Sequence, residues 1–475
     1  MTQATLDTLI IGAGTAGLAA LREVRKRTDQ FLIVNEGPWG TTCARVGCMP
    51  SKMLVEAANA LHARARWDTF GLRGGKDLHA DLPAVLERVR ALRDEFVAGT
   101  VRASDAGKQA VSGRARLLDA TRVEVNGRTY RTRSVIVATG SRPLLPPDWL
   151  AFGDRILTTD TLFEQPTLGP RMAVIGLGAL GAELAQALAR LGVEVVAFVT
   201  SERVAGLQDE AVNARLYEQL KGEFAISVGG RAQLRELASG IEVSNGQTTV
   251  VVDQVLAAMG RTPNIEYLGL DTLGPVLDAH GLPPLDPCTL QVEGTPVFLA
   301  GDVDRDRTLL HEAADEGHIA GINAVLAAQG KPLRRFRRRV PLAITFCEPN
   351  AASVGLSWTE VQKREHLVGE IDFARQGRAR VAVRNAGLLR LYAAPDSGRL
   401  LGAQMCAPAG EHLAQLLALA IDRDLTVQDM LRMPVYHPTL EEGLRTALRQ
   451  IARQLPVQSE TDLSDCDNLG AAALD

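Results

Sequence analysis

Short apolar runs separated by glycine-rich turns set the rhythm of this chain. Thr8-Leu9-Ile10-Ile11 reads as a buried strand, a turn with three spaced glycines comes next, and Ala16 to Arg27 carries helical periodicity. Phe31-Leu32-Ile33-Val34 then returns to strand. The same order recurs at Met172-Ala173-Val174-Ile175, with a glycine turn from Gly176, a helix, and a strand at Val195 to Val199. Two strand–helix–strand units of this kind predict two parallel-sheet domains.

Between them, apolar spacing predicts helices from about Ser51 to Ala65 and from about Leu82 to Ala98. Short strands cover roughly 110–137 and end in Val135-Ile136-Val137-Ala138-Thr139-Gly140. The Pro-rich Arg142-Pro143-Leu144-Leu145-Pro146-Pro147 reads as a linker. The second unit closes near Gly260-Arg261-Thr262-Pro263-Asn264, and Val297-Phe298-Leu299-Ala300 is again a strand, with Gly301-Asp302 after it. After the basic run Arg334-Arg335-Phe336-Arg337-Arg338-Arg339, strands (342–346, 389–393, 400–406) mix with helices near 410–421 and 440–453. The fold class is therefore α/β: two Rossmann-like dinucleotide-binding domains plus a C-terminal α+β domain. Their bounds are 1–144 with 263–335, 145–262, and 336–456. The tail, 457–475, has five acids and no Lys or Arg, a composition that predicts disorder.

Bulk properties remove alternatives. A chain of 475 residues is too long for one core. A net charge of -4 and 4% aromatic residues give no electrostatic or stacking case for nucleic acid. The apolar runs are too short and interrupted for a membrane span, and the N-terminus enters a strand without a basic stretch, so a cytoplasmic address is expected. Of the six cysteines, Cys288, Cys347, Cys406 and Cys466 are scattered singly, and no Cys/His cluster offers metal ligands. The basic run is most simply a solvated linker, with docking to a partner as the alternative.

Cys43 and Cys48 stand apart. Closing so short a loop should stabilise the fold by only about 2 kcal/mol, which makes a poor staple but suits an easily reduced, redox-active pair. The glycine turns have their own mechanism. Gly12 permits a tight turn, Gly14 lets backbone approach a pyrophosphate, Gly17 allows close helix packing, and Glu36 is placed to accept from a ribose hydroxyl. Gly176, Gly178 and Gly181 repeat the pattern, so two dinucleotides imply a relay between two cofactors. Here the strand ends at Val199, which accepts nothing from a ribose, and Arg203 could meet a 2′-phosphate; NAD and NADP both stay open. Lys52 would favour negative charge on an adjacent reduced flavin, with Glu183 as its partner across the cofactor interface. His437 can act as base toward a thiol, and Glu442 can orient its imidazole.

These motifs, taken in order, resemble those of the flavoprotein pyridine nucleotide–disulfide oxidoreductases, over essentially the whole chain to about residue 453. Carrying the resemblance are the Gly12 turn with Glu36, Gly40-Thr41-Thr42-Cys43 through Lys52, Ala138 to Pro143, and the Gly176 turn with Glu183. Gly260 to Asn264, Thr295 to Asp302, and His437-Pro438-Thr439 with Glu442 complete it. Pro50-Ser51-Lys52 favours the dihydrolipoamide dehydrogenase type over the glutathione type, which usually has two lysines there. A mercuric reductase is disfavoured by the single tail cysteine, Cys466, and a soluble transhydrogenase would usually lack the intact dithiol.

The resemblance implies FAD on the first domain, held by Gly12, Gly14, Gly17, Glu36, Thr42, Lys52, Thr139, Gly140, Gly301 and Asp302. It implies NAD(P) on the second, at Gly176, Gly178, Gly181, Glu183, Gly260 and Arg261. The last domain would make a homodimer in which His437 serves the other subunit's thiol pair, with Cys48 on the flavin side and Cys43 exchanging with substrate. A lipoyl domain of a 2-oxo acid dehydrogenase complex is a candidate partner. Departures from the family pattern are Thr41 for Gly, Arg45 for Asn, Cys347 and Asn350 around Pro349, and Val435 for His. They leave open another disulfide as substrate, a diaphorase or quinone reductase, or a structural subunit of such a complex.

Overall fold

The computed structural model describes residues 5–456; the acidic tail and Cys466 lie outside the described residues. In the first unit, strand Leu6–Ile11 lies between Phe31–Asn35 and Arg128–Val137, parallel to both. Ala110–Ser112 extends one edge in parallel, and Val297–Leu299 runs parallel to 128–137. Parallel strands must be covered on both faces, which is why Leu9, Ile10, Ile33, Val135 and Ile136 are all buried apolar residues. Helix Thr15–Val24 packs against helix Leu310–Ala328, which brings the late segment back onto the first unit.

The second unit repeats the plan. Its sheet runs Ala225–Val228, Glu194–Val199, Arg171–Ile175, Gln254–Ala257, Ile156–Leu157, all parallel. The third unit is a five-stranded antiparallel sheet whose inner strand, Leu400–Ala407, is buried throughout. Helices Gly410–Asp422 and Glu442–Ala452 bury one apolar face each against that sheet. Its strands Asn350–Gly355 and Leu367–Asp372 were not foreseen; short strands with Gly or Glu inside carry a weak signal. Among the described residues no helix is long and apolar enough to cross a membrane.

Two expectations need correction. The Pro-rich stretch at 142–147 is not a free linker: Ser141–Pro143 pairs antiparallel with Arg261–Pro263, and Arg142 donates to Pro263 O, Asn264 and Glu266. Proline is tolerated there because a two-stranded ribbon is all edge. Nor is the basic run a solvated linker. Arg338 reaches Glu316 at 2.5 Å and Glu312 at 2.9 Å, Arg335 pairs with Asp286 at 2.7 Å, and Arg339 with Asp315 at 2.9 Å. Asn323, fully buried, clamps the main chain of Arg334. Glu312 and Glu316 face inward from their helix, and buried carboxylates demand such partners.

Candidate active site

The two thiols lie on different helices. Cys43 is in the short helix Thr42–Arg45, and Cys48 opens helix Cys48–His62. Val46-Gly47 separates them, so the pair escapes the divergent directions that a single helix would impose. A Cβ on Gly47 would meet Thr42 O at 3.1 Å and Cys43 Cα at 3.3 Å, so a larger residue would have to push the segments a few tenths of an ångström apart. Thr41, the departure from glycine, has a local reason: its hydroxyl accepts from Ala44 N at 3.1 Å and caps the short helix. Both thiols are free and half-buried. A hydrogen bond from Cys43, opposed by burial and aided by the Lys52 charge, holds Cys48 down at about 7, while Cys43 is pushed up by that bond and by burial. The start of a helix further favours the thiolate at Cys48. Cys347 and Cys406 contrast with them, buried and pushed up to about 12 by that burial.

Each glycine turn forms an open cradle. Side chains at Gly12 and Gly17 would strike backbone at 2.2 and 1.9 Å, and at Gly176 and Gly181 at 2.6 and 2.0 Å. At the middle positions, Gly14 and Gly178, a Cβ would meet nothing within 4 Å. The outer glycines thus fix the turn, and the middle one leaves room for a ligand. Helices Thr15–Val24 and Ala179–Arg190 begin at these turns with no side-chain cap, so their first N–H groups are available to a pyrophosphate.

Beside the first cradle, the Thr139 hydroxyl oxygen is buried without a partner, the kind of orphan a bound cofactor satisfies. Asp302 accepts from Ser141 Oγ at 2.8 Å, and Gly301 N donates to Glu316. These features fit an FAD. Glu36 does not reach the turn. It is exposed and pairs with Arg114 at 3.0 Å, whereas Asn35, one residue earlier on the opposite face, accepts from Ala13 N at 3.0 Å. Sequence reading missed Asn35 because an acid next to it drew the assignment. Arg261, expected at the nicotinamide dinucleotide, donates to Ser141 Oγ at 2.8 Å and to Ser141 O at 2.6 Å. Gly260 O accepts from Leu144 N in the same ribbon.

Lys52 and Glu183 do meet. The ammonium lies 2.7 Å from the buried Glu183 carboxylate, which also accepts from Phe346 N at 2.7 Å. This bridge joins the thiol helix of the first unit to the glycine helix of the second. Lys52 also sits over the Phe346 ring at 4.6 Å, a contact the sequence did not announce. His437 Nδ1 lies 2.9 Å from Glu442, whose other oxygen accepts from Thr439 N at 3.0 Å. The hydrogen bond to His437, then that backbone donor, hold Glu442 below the usual carboxylate range. The imidazole is 80% exposed and bonds to neither thiol of its own chain.

Comparison with known proteins decides the family. Residues 6–317 match the pyridine nucleotide-disulphide oxidoreductase model, and residues 341–448 match the dimerisation domain of the same family. The chain belongs to the pyridine nucleotide-disulphide oxidoreductases. It is 32% identical to a dihydrolipoyl dehydrogenase from Thermus scotoductus, across 95% of this chain and 98% of that protein. It is 28% identical to a dihydrolipoyl dehydrogenase from Bacillus subtilis, across 92% and 94%. The fold matches crystalline LpdA from Mycobacterium tuberculosis with a TM-score of 0.81 at 24% identity, covering 94% of this chain and all of that one. This oxidoreductase is thus an FAD-binding, NAD(P)-linked enzyme carrying a dimerisation domain.

Proposed function

We propose that this oxidoreductase oxidises dihydrolipoamide with NAD(P)+, giving lipoamide, NAD(P)H and a proton. The observation that carries the reading is the Lys52–Glu183 bridge, which joins the helix that Cys48 opens to the helix that follows the second glycine turn. Its relatives named dihydrolipoyl dehydrogenase span nearly its full length. In this reading FAD lies on 1–144 with 263–335, NAD(P) on 145–262, and 336–456 forms the interface of a homodimer. Bound FAD supplies the two-electron relay between dithiol and nicotinamide.

The chain's own residues handle the thiols and protons. His437 of the partner subunit takes the proton from one substrate thiol at Nε2, and Glu442 steadies the resulting imidazolium through Nδ1. The substrate thiolate attacks the Cys43 sulfur of the oxidised pair, the Cys43–Cys48 bond breaks, and Cys48 departs as thiolate. The Lys52 charge beside it favours the departing thiolate. The second substrate thiol then attacks the substrate sulfur of the mixed disulfide, that bond breaks, and its proton passes to Cys43, which is released as a thiol. An exposed His437 that meets no thiol of its own chain suits service across a dimer.

The test is anaerobic reduction of NAD+ and NADP+ by dihydrolipoamide on FAD-loaded protein. Fast turnover with either is the expected result. Negligible turnover with both, from protein whose flavin NAD(P)H still reduces, would move the enzyme to another disulfide or acceptor.

A further inference from the structure

The two glycine turns provide an internal ruler for the choice of nicotinamide dinucleotide. Gly12 N donates to Val34 O at 2.7 Å, and Gly176 N donates to Phe198 O at 2.9 Å. In both sheets the residue before the turn pairs with that same acceptor, Ile11 with Val34 and Ile175 with Phe198. Val199 therefore occupies the position of Asn35, and Thr200 the position of Glu36. In the first unit Asn35 turns its side chain onto the cradle. In the second, the equivalent side chain is a buried valine with no polar atom to offer.

Beyond Val199 the chain turns through Thr200-Ser201-Glu202-Arg203, exposed along its length. The turn is pinned at three points. Glu202 O accepts from Asn213 Nδ2 at 3.0 Å, Val204 N donates to Asn213 Oδ1 at 2.9 Å, and Ala205 N donates to Leu177 O at 2.8 Å. Leu177 lies inside the glycine turn, so the segment folds back onto the cradle itself. The one acid in the turn, Glu202, lies near Tyr217, whose phenol burial and then Glu202 push up. The neighbouring strand brings a second cation to this edge: Gly229 N donates to Val199 O at 3.0 Å, and Arg231 lies two residues further on.

A carboxylate at this strand end accepts from the ribose hydroxyls of NAD and repels a 2′-phosphate. Valine removes both effects. Two hydroxyls and a guanidinium in the adjoining turn supply the donors a phosphate needs, with arginine suited to its oxygens. We propose that the 199–203 turn selects a dinucleotide with a phosphate on the adenosine 2′-oxygen, making the enzyme prefer NADP(H) over NAD(H). Thr200, Ser201 and Arg203 are the specificity-determining residues. The inference rests on the reading that the second glycine turn holds the nicotinamide dinucleotide.

Calorimetric titration of the FAD-loaded enzyme with 2′,5′-ADP and with 5′-AMP isolates the 2′-phosphate and needs no dithiol substrate. The expected result is binding of 2′,5′-ADP at least about tenfold tighter, as one charge-assisted contact gives. Arg203→Ala should erase most of that ratio and leave 5′-AMP binding unchanged, and Val199→Glu should invert it. Equal or tighter binding of 5′-AMP by the wild type overturns the proposal, as does an Arg203→Ala variant that weakens both probes alike. If neither probe binds, the shared premise fails with it. A failure confined to the ratio leaves the dithiol chemistry standing, because dihydrolipoamide turnover is measured separately.

Discussion

Cys48 is set between opposing influences. The hydrogen bond from Cys43 favours its thiolate, burial opposes it, and the Lys52 ammonium tips the balance further toward charge. The first proton of the pair therefore leaves near pH 7, and the thiolate fraction rises as pH rises through that value. Lys52→Met should move this midpoint upward and leave less thiolate at neutral pH, whereas Lys52→Arg should hold it nearly in place. The pH dependence of Cys48 alkylation in the reduced enzyme measures both. An unchanged midpoint in Lys52→Met would remove the lysine from thiol activation. At this scale the placement of the pair was legible, because the Cys43–Cys48 spacing and its Gly, Pro and Lys neighbours are local. Asn35 was not. Its claim on the cradle depends on which face of the strand it occupies, and Glu36 beside it looked chemically better suited.

Among the elements, the segment 334–339 shows how a charge run misleads. Arg338 is mostly buried and shared by Glu312 and Glu316, while Arg337 stays exposed and only 3.9 Å from Asp422. Arg338→Ala leaves buried Glu316 without its cation and Glu312 with Arg307 alone, and breaking such a buried pair costs about 3–5 kcal/mol. Arg337→Ala should cost no more than about 0.5 kcal/mol. Thermal midpoints of the two variants separate these outcomes, and equal small losses would restore the solvated-linker reading. The sequence shows that the run is basic. It does not show that helix Leu310–Ala328 turns two acids inward to meet it, since that depends on packing against Thr15–Val24. The same reason hid the ribbon at 141–143: its partner strand lies far along the chain at 261–263.

For the whole molecule, the parallel strands of the first two units arise from strand–turn–helix order, which a sequence displays well, whereas the antiparallel third unit was legible only in part. The relation between subunits does not arise from it. In the proposed homodimer, each site takes its thiols from one chain and its base from the other, so two defective chains can rebuild one good site. Mixed dimers of Cys48→Ser and His437→Gln should recover about a quarter of wild-type sites, since half of randomly assorted dimers are mixed and each has one intact site. No recovery beyond the sum of the parents would place His437 with its own chain's thiols.

The claim that Cys43 and Cys48 are the port through which electrons enter is tested most directly by splitting the half-reactions of Cys48→Ser. Stopped-flow spectroscopy without oxygen follows flavin reduction by NAD(P)H and, separately, by dihydrolipoamide. The expected result is FAD-loaded protein whose flavin NAD(P)H reduces at close to the wild-type rate and dihydrolipoamide does not reduce at all. Reduction by dihydrolipoamide at the wild-type rate would contradict it.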